Sequence, residues 1–386
     1  MPASSNKNVF ILQAPQIRIC FVAHNAHGAL AGFDTGHIGG IERQQALMAH
    51  WLADHGHDVS MICWDEGQGD CIVGKIKVFV IGRREEGLPG LRFFHPRWTG
   101  LIRAMKRADA DIYYYNCGDL GLGQVAHWTS HHNKKTLYSV ASEPDCDPQL
   151  PTLKPLRERI LYRYGLKHAD QVVAQTLRQQ EMLQAGFGIS AEIIPMPCTG
   201  FNDARPVQSY DGPPRILWVG RFSREKRLEW LLDVAEALPQ YAFDVAGAAN
   251  ARTEYAKDLL HRAESIPNVV LHGRLLHHEL GGLYHRARLL CCTSIFEGFP
   301  NTFLEAWSVG LPIVSTFDPD QVIAKENLGT AVCTVNELRE GITALMEHAQ
   351  HWQEASLAAQ TYFNSHHTLD AVMPRFVQLF EKISLS

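Results

Sequence analysis

No stretch of the 386 residues approaches the roughly 18 consecutive apolar residues of a membrane-spanning helix. Residues 1–16 lack the long apolar core and cleavage site of a secretory signal, so neither a spanning helix nor a leader is expected. There is no basic excess. With 36 Lys and Arg against 41 Asp and Glu, the formal net charge is −5. That balance argues against a dedicated nucleic-acid binder. The nine cysteines, scattered from Cys20 to Cys333, form no C-x-x-C. They read as reduced, mostly buried thiols of a cytoplasmic protein rather than a disulfide frame or a zinc site. Histidine is abundant (20), with pairs such as His277-His278, but no H-E-x-x-H accompanies it, so solvated or packed imidazoles are expected. No short-period repeat and no low-complexity segment occurs. At 46% hydrophobic and 20% charged residues the chain is globular rather than disordered.

What is there is alternation. Short apolar, β-branched runs alternate with longer segments of helical period, the pattern of parallel-sheet α/β folds. Strands are expected at 17–23, 59–63, 76–81, 112–115, 136–140, 171–174 and 192–194. A loop carrying Gly28, Gly32, Gly36, Gly39 and Gly40 follows the first of them, and a helix is expected from Ile41 to His55. Residues 195–214 hold five prolines and two glycines without periodicity and read as an interdomain linker. The alternation then restarts, with strands expected at 215–219, 242–246, 268–271, 289–292, 313–315 and 331–333. Leu228, Leu231, Leu232, Ala235 and Leu238 form a helical stripe between the first two of these. The restart predicts two doubly wound domains in tandem. In open parallel sheets ligands bind beyond the carboxyl ends of the strands, so the expected site is the cleft between the domains.

Three constellations feed that cleft. Glu297 and Glu305 are separated by seven residues, Gly-Phe-Pro-Asn-Thr-Phe-Leu. The second lies in a helix beginning near Asn301, where Asn301 and Thr302 are good N-caps. A helix starting there aims free N–H groups and a positive dipole end at the cleft, a diphosphate site. Glu305 would reach a ribose diol and Glu297 a second polyol. The same pattern is compatible with a turn carboxylate at Glu297 and a surface residue at Glu305. Arg221 and Lys226 follow the first strand of the second half. Together they can neutralise a pyrophosphate leaving group, while Arg224 and Arg227 are expected to be solvated. Gly39-Gly40-Ile41-Glu42 opens a helix where glycine permits close approach to a ligand, or is simply a flexible helix start.

Other candidates are weaker. Three D-x-D triplets (Asp109/Asp111, Asp145/Asp147, Asp318/Asp320) could hold a divalent ion. Only the last follows a strand and is expected to face the cleft, and no metal is expected because the basic pair already supplies the charge. Arg159, Arg163 and Lys167 share one face of a basic helix that also carries Lys154, Arg157, Leu156, Ile160 and Tyr164. That face is a solvated surface or a peripheral contact with an anionic membrane.

With these motifs in order, the chain resembles the family 4 glycosyltransferases, retaining nucleotide-sugar transferases of the GT-B fold: two Rossmann-like doubly wound domains with an interdomain cleft. The resemblance runs over nearly the full length and is carried by Gly39-Gly40-Ile41-Glu42, Gly220-Arg221 with Lys226, and Glu297-x7-Glu305 continuing to Gly310-Leu-Pro312. The segment Ile193–Pro197 with Phe201 resembles the family's exit from its first domain.

The resemblance implies an acceptor-side domain at 1–200 and a donor domain at 201–369. The helix at 370–386 would pack back on the first domain. Arg221, Lys226 and the Asn301–Phe303 backbone would hold the donor diphosphate, Glu305 the ribose, and Glu297 the donor sugar. Gly39 and Gly40 would let the first domain close on the donor, and Arg274 would flank the base. The implied partners are a UDP- or GDP-type sugar and a glycan or lipid-linked acceptor in surface polysaccharide or glycolipid synthesis. The implied location is cytoplasmic, at the inner face of the membrane, with no cofactor. One departure stands out: relatives carry a His after the fourth or fifth strand of the first domain, whereas here Ala141-Ser142-Glu143-Pro144-Asp145 has none. Ser142 or Glu143 is the expected replacement, with His24 and His27 behind them. A non-catalytic nucleotide-sugar-binding protein and an epimerase of the same fold remain as alternatives. A phosphorylase would need a pyridoxal-phosphate lysine and a longer chain.

Overall fold

The structure, a computed structural model, describes residues 16–33, 39–201, 213–248 and 253–385. Gly36 and most of the expected linker lie outside them.

The first half contains β1 (Arg18–Val22), α1 (His27–Ala31), α2 (Gly40–Asp54), β2 (Asp58–Cys63), β3 (Cys71–Val73), β4 (Ile76–Val80), α3 (Thr99–Ala108), β5 (Ile112–Tyr115), α4 (Gly121–His131), β6 (Lys135–Ser139), α5 (Leu156–His168), β7 (Gln171–Ala174), α6 (Leu177–Phe187) and β8 (Glu192–Ile193). The second half contains β9 (Arg215–Val219), α7 (Leu228–Ala237), β10 (Ala242–Ala246), α8 (Glu254–Ser265), β11 (Val269–Gly273), α9 (His277–Arg286), β12 (Leu289–Cys292), α10 (Asn301–Ser308), β13 (Ile313–Ser315), α11 (Val322–Lys325), β14 (Gly329–Ala331), α12 (Val335–Glu347), α13 (Ala349–His366) and α14 (Leu369–Ser384).

The first sheet runs β3-β4-β2-β1-β5-β6-β7-β8 and the second β11-β10-β9-β12-β13-β14. Every pairing is parallel except β3 with β4. Helices cover both faces, so the central strands are apolar throughout rather than alternating: Cys20 through Val22 and Tyr113 through Tyr115 are fully buried. The fold is therefore GT-B in type, with both domains doubly wound.

Differences from the sequence reading have local causes. β3 is a three-residue antiparallel edge with Ile72 exposed, too short to leave a pattern. α1 hides inside the glycine-rich loop and ends at Gly32. β14 starts at Gly329, opposite Ile313, because the ladder and not the apolar run sets its ends. In α14, Val372, Met373, Phe376, Phe380 and Ile383 share a core with Ile19, Phe21 and Met61 of the first sheet. α13 stays with the second domain, where Ala359 and Phe363 join the core of Leu304 and Trp307.

Candidate active site in the interdomain cleft

After β9 the chain passes Gly220 and Arg221 and makes one 3-10 turn over Arg224–Lys226. Arg227 then adopts a left-handed backbone, φ 45°, before α7. Its guanidinium donates to the carbonyls of Thr293 (2.8 Å) and Ser294 (3.2 Å) and to Thr316 Oγ1 (2.8 Å). It also lies 3.9 Å over the Trp230 ring. Arg224 lies 4.8 Å over Tyr255. Arg224 is exposed, as the sequence suggested, whereas Arg227 is half-buried and is not the solvated side chain expected. Arg227 instead fastens the basic loop to the turns after β12 and β13.

That fastening brings Lys226 onto the glutamate motif. Lys226 Nζ makes a short ion pair with Glu297 Oε1, and Ser294 Oγ donates to the same oxygen at 2.6 Å. Thr293 Oγ1 donates to the Lys226 carbonyl at 2.5 Å, pinning the lysine backbone. Arg221 is more exposed and pairs with Glu225 at 3.2 Å. Lys226, set against the loop that leads into α10, suits a diphosphate at that helix start electrostatically. The helix start differs in detail from expectation. Pro300 is the N-cap, Asn301 and Thr302 are the first helical residues, and no side chain caps the end. Phe303 is buried in the core and its N–H donates to the Pro300 carbonyl at 3.0 Å. The available helix-end donors therefore narrow to Asn301 and Thr302.

Glu305 is no surface residue: its side chain is 3% exposed. Oε2 accepts the Tyr284 hydroxyl at 2.8 Å. Oε1 receives Arg43 Nη2 at 3.2 Å and His277 Nε2 at 3.3 Å. Burial would raise this carboxyl, but Arg43, His277 and Tyr284 outweigh it and hold the group below its ordinary range. His277 is itself stacked on Phe201, ring centroids 4.7 Å apart.

The first domain closes directly on the motif. The Glu143 N–H donates to the Glu297 carbonyl at 3.2 Å, and the Phe299 N–H to Gln175 Oε1 at 2.8 Å. Gly298 lies so close that a Cβ there would stand 2.1 Å from the Ala141 carbonyl oxygen, and a Cβ on Gly40 would stand 2.1 Å from Asn301 Nδ2. Gly39 keeps its N–H on Glu42 Oε2 at 2.9 Å, so Glu42 secures the start of α2. Asp320 crosses the cleft to accept the N–H groups of Leu177 (2.6 Å) and Arg178 (3.0 Å), capping α6, while Asp318 takes the amides of Ile323 and Ala324. Both aspartates hold amides at the starts of helices. Among the described residues no group of three His, Cys, Asp or Glu is arranged to hold a metal ion.

The loop after β6 carries no imidazole, and its two expected substitutes are otherwise engaged. The Ser142 hydroxyl donates to Asp145 Oδ2 at 3.0 Å, and Glu143 Oε1 pairs with Arg178 Nε at 2.9 Å. Burial raises the Glu143 carboxyl despite Arg178. Burial also pushes Asp145 up to about 6, against the Ser142 hydrogen bonds. His24 stacks on Trp64 at 5.2 Å, and burial lowers it while Asp119 opposes that shift. His27 is buried, 4.0 Å from Glu66. Arg274 stands exposed one residue beyond β11.

On α5 the shared basic face stays at the surface, with Arg163 and Lys167 exposed and Arg159 half-buried. Arg159 Nε donates to the Leu153 carbonyl and Arg163 Nη2 to the Pro148 carbonyl, both at 2.6 Å. Arg157 lies 4.2 Å over Phe93. No helix among the described residues is long and apolar enough to cross a membrane, and all nine cysteines are free thiols. Arg43, His277, Tyr284 and Ser294 were not singled out in the sequence. Only Arg43, next to Glu42 in the glycine-led helix start, carried any local signal.

Two family models account for most of the chain. Residues 39–199 match the glycosyl transferase 4-like domain, and residues 213–348 match glycosyl transferases group 1. The GtfA subunit of a Streptococcus pneumoniae UDP-N-acetylglucosamine–peptide N-acetylglucosaminyltransferase is 25% identical over 164 residues, 40% of this chain and 32% of that protein. The mannosylfructose-phosphate synthase of Agrobacterium fabrum is 28% identical over 183 residues, 41% of this chain and 39% of that protein. The aligned regions thus span only about a third of the length of these curated relatives. Among solved structures, sucrose-phosphate synthase from Thermosynechococcus elongatus superposes with a TM-score of 0.77 at 19% identity, covering 95% of this chain and 98% of that one. Anabaena HepE, solved with UDP and glucose, superposes with a TM-score of 0.74 at 17% identity, covering 95% and 100%.

Proposed function

Because the chain belongs to the glycosyltransferases that join a 4-like domain to a group 1 domain, we propose that it transfers a sugar from a UDP- or GDP-type donor to a hydroxyl acceptor, retaining the anomeric configuration and using no metal. The observation that carries this reading is the meeting of Lys226 with Glu297 on the cleft wall, with Glu305 buried one helix turn and more beyond. On this reading Lys226 and Arg221 receive the diphosphate together with the Asn301 and Thr302 end of α10. Glu305 holds the ribose, Arg274 flanks the base, and Glu297 favours the positive charge developing on the sugar. The bond from the anomeric carbon to the diphosphate breaks as the acceptor oxygen bonds on the same face. The acceptor proton passes to the departing phosphate oxygen. Glycosyl-transferring relatives, and HepE with UDP and glucose bound, support the donor class.

The acceptor belongs to a surface polysaccharide or glycolipid, met at the inner face of a membrane. A patch on the first domain supports this contact. Leu156 and Ile160 of α5 are exposed, as are Leu88, Leu91 and Phe94, and Arg157 bridges the two segments over Phe93. Apolar side chains beside arginine fit an anionic lipid surface better than bulk water.

A thermal-shift and hydrolysis screen with UDP-, GDP-, ADP- and dTDP-sugars, with and without EDTA, tests the reading. Expected is a raised melting temperature with one nucleotide series, surviving EDTA, with slow donor hydrolysis. Loss of the shift in EDTA would overturn metal-free transfer. A shift without hydrolysis or transfer would favour a non-catalytic binder, which the lack of an imidazole at 141–146 keeps as the second reading. Proton NMR of the product anomer tests retention.

A further inference from the structure

Resting on the ribose reading of Glu305, we infer that Arg43 is a clasp that the donor displaces: it holds Glu305 and passes to the donor diphosphate when ribose arrives. Two of the three groups around this carboxylate differ from the third in origin. Tyr284 and His277 belong to the same domain as Glu305, whereas Arg43 comes from α2 of the other domain. Arg43 and His277 also share one oxygen, Oε1, at 3.2 and 3.3 Å, while Oε2 is taken by Tyr284. A ribose diol needs carboxylate acceptor sites, and in this arrangement the site it can gain is the one that Arg43 fills. Arg43 is also the partner free to leave. Tyr284 is buried, and His277, as open as Arg43 at 34% against 31% side-chain exposure, is held by stacking on Phe201.

Leaving has a cost, because a buried carboxylate without its cation is poorly solvated. Ribose hydroxyls bring hydrogen bonds but no charge, so the guanidinium must find another anion nearby. Its position supplies one. Arg43 sits three residues after Gly40, and Gly40 lies against Asn301 at the start of α10, where the diphosphate is placed above. The clasp therefore couples ribose and diphosphate recognition. A nucleoside displaces Arg43 and offers it nothing, while a nucleoside diphosphate displaces it and re-pairs it.

The test is calorimetric titration of the full chain with UDP, GDP, ADP and dTDP, and with the matching nucleosides, for wild type, Arg43→Gln, Arg43→Lys and Glu305→Gln. Expected is that Arg43→Gln narrows the diphosphate-over-nucleoside affinity ratio by about tenfold, the scale of one charge-assisted hydrogen bond. The nucleoside should bind tighter and the diphosphate weaker, with Arg43→Lys restoring most of the ratio. An unchanged ratio in Arg43→Gln, while Glu305→Gln weakens both ligands, would overturn the clasp and leave the ribose reading standing. If Glu305→Gln changes neither affinity, or wild type binds none of the eight, the ribose reading fails and the clasp with it.

Discussion

Lys226 and Glu297 are acid and base in form, yet each is the other's counterion, with Ser294 supporting the carboxylate. The pair is largely shielded from water, at 19% and 17% side-chain exposure, so its members are not interchangeable with surface charges. Lys226→Met should lower turnover by about 100- to 1000-fold, the range seen on removing one donor to developing negative charge. It should also lower the melting temperature by a few degrees, because Glu297 loses its cation. Adding Glu297→Gln should recover the melting temperature and not the turnover. Recovery of both would take Lys226 out of the leaving-group site.

At the scale of elements, the basic loop is as good as its anchor. Arg227 accepts a left-handed backbone and spends its guanidinium on three acceptors across two turns. Arg227→Ala should cost about 2 kcal/mol in urea unfolding, since three acceptors lose a charged donor in a partly buried place. It should also loosen Lys226 and so raise the KM for the donor. A variant with full stability and unchanged KM would show that the turn holds itself. α10 is similarly set by its surroundings. With Pro300 at the cap, its start is fixed by the Pro300–Phe303 hydrogen bond and by the Gln175 side chain on Phe299, contributed by the other domain.

For the whole molecule, closure and the hinge are the quantities to perturb. A methyl group at Gly298 would meet the Ala141 backbone oxygen, an atom that cannot swing aside. Gly298→Ala should hold the domains apart, raising the radius of gyration by small-angle scattering and cutting transfer, with little change in the unfolding of either domain. Unchanged scattering would mean that the contact yields locally. His367 sits where α13 passes into α14. It bonds the Met196 carbonyl at 2.9 Å and packs on Phe299 and Trp307. Burial lowers its ring from 6.5 to about 4. Its folded value is depressed, so its stabilising contribution is complete above about 6.5 and is lost as pH falls through about 4. Up to about 3 kcal/mol should disappear over that window by denaturant titration. His367→Asn should flatten the slope whatever its effect at neutral pH. An equally steep acid limb in that variant would assign the loss to other groups.

The sequence by itself determined the two doubly wound domains and most strand positions. Each of these rests on local information: apolar runs buried on both faces, the helical stripe before Leu238, and motifs contained within ten residues. Lys226 and Glu297 were legible as separate candidates. Their pairing was not, because 71 residues and a change of strand order lie between them. The tertiary structure decided the rest. It buried Glu305 under Arg43 from the other domain, made Arg227 an anchor, and set Asp320 on the first amides of α6. It also drew the α5 arginines back onto their own loop. In every case the deciding partner is distant in sequence, and a charged residue's role is set by which buried group it must neutralise. That is a property of the closed molecule, which no spacing along the chain records.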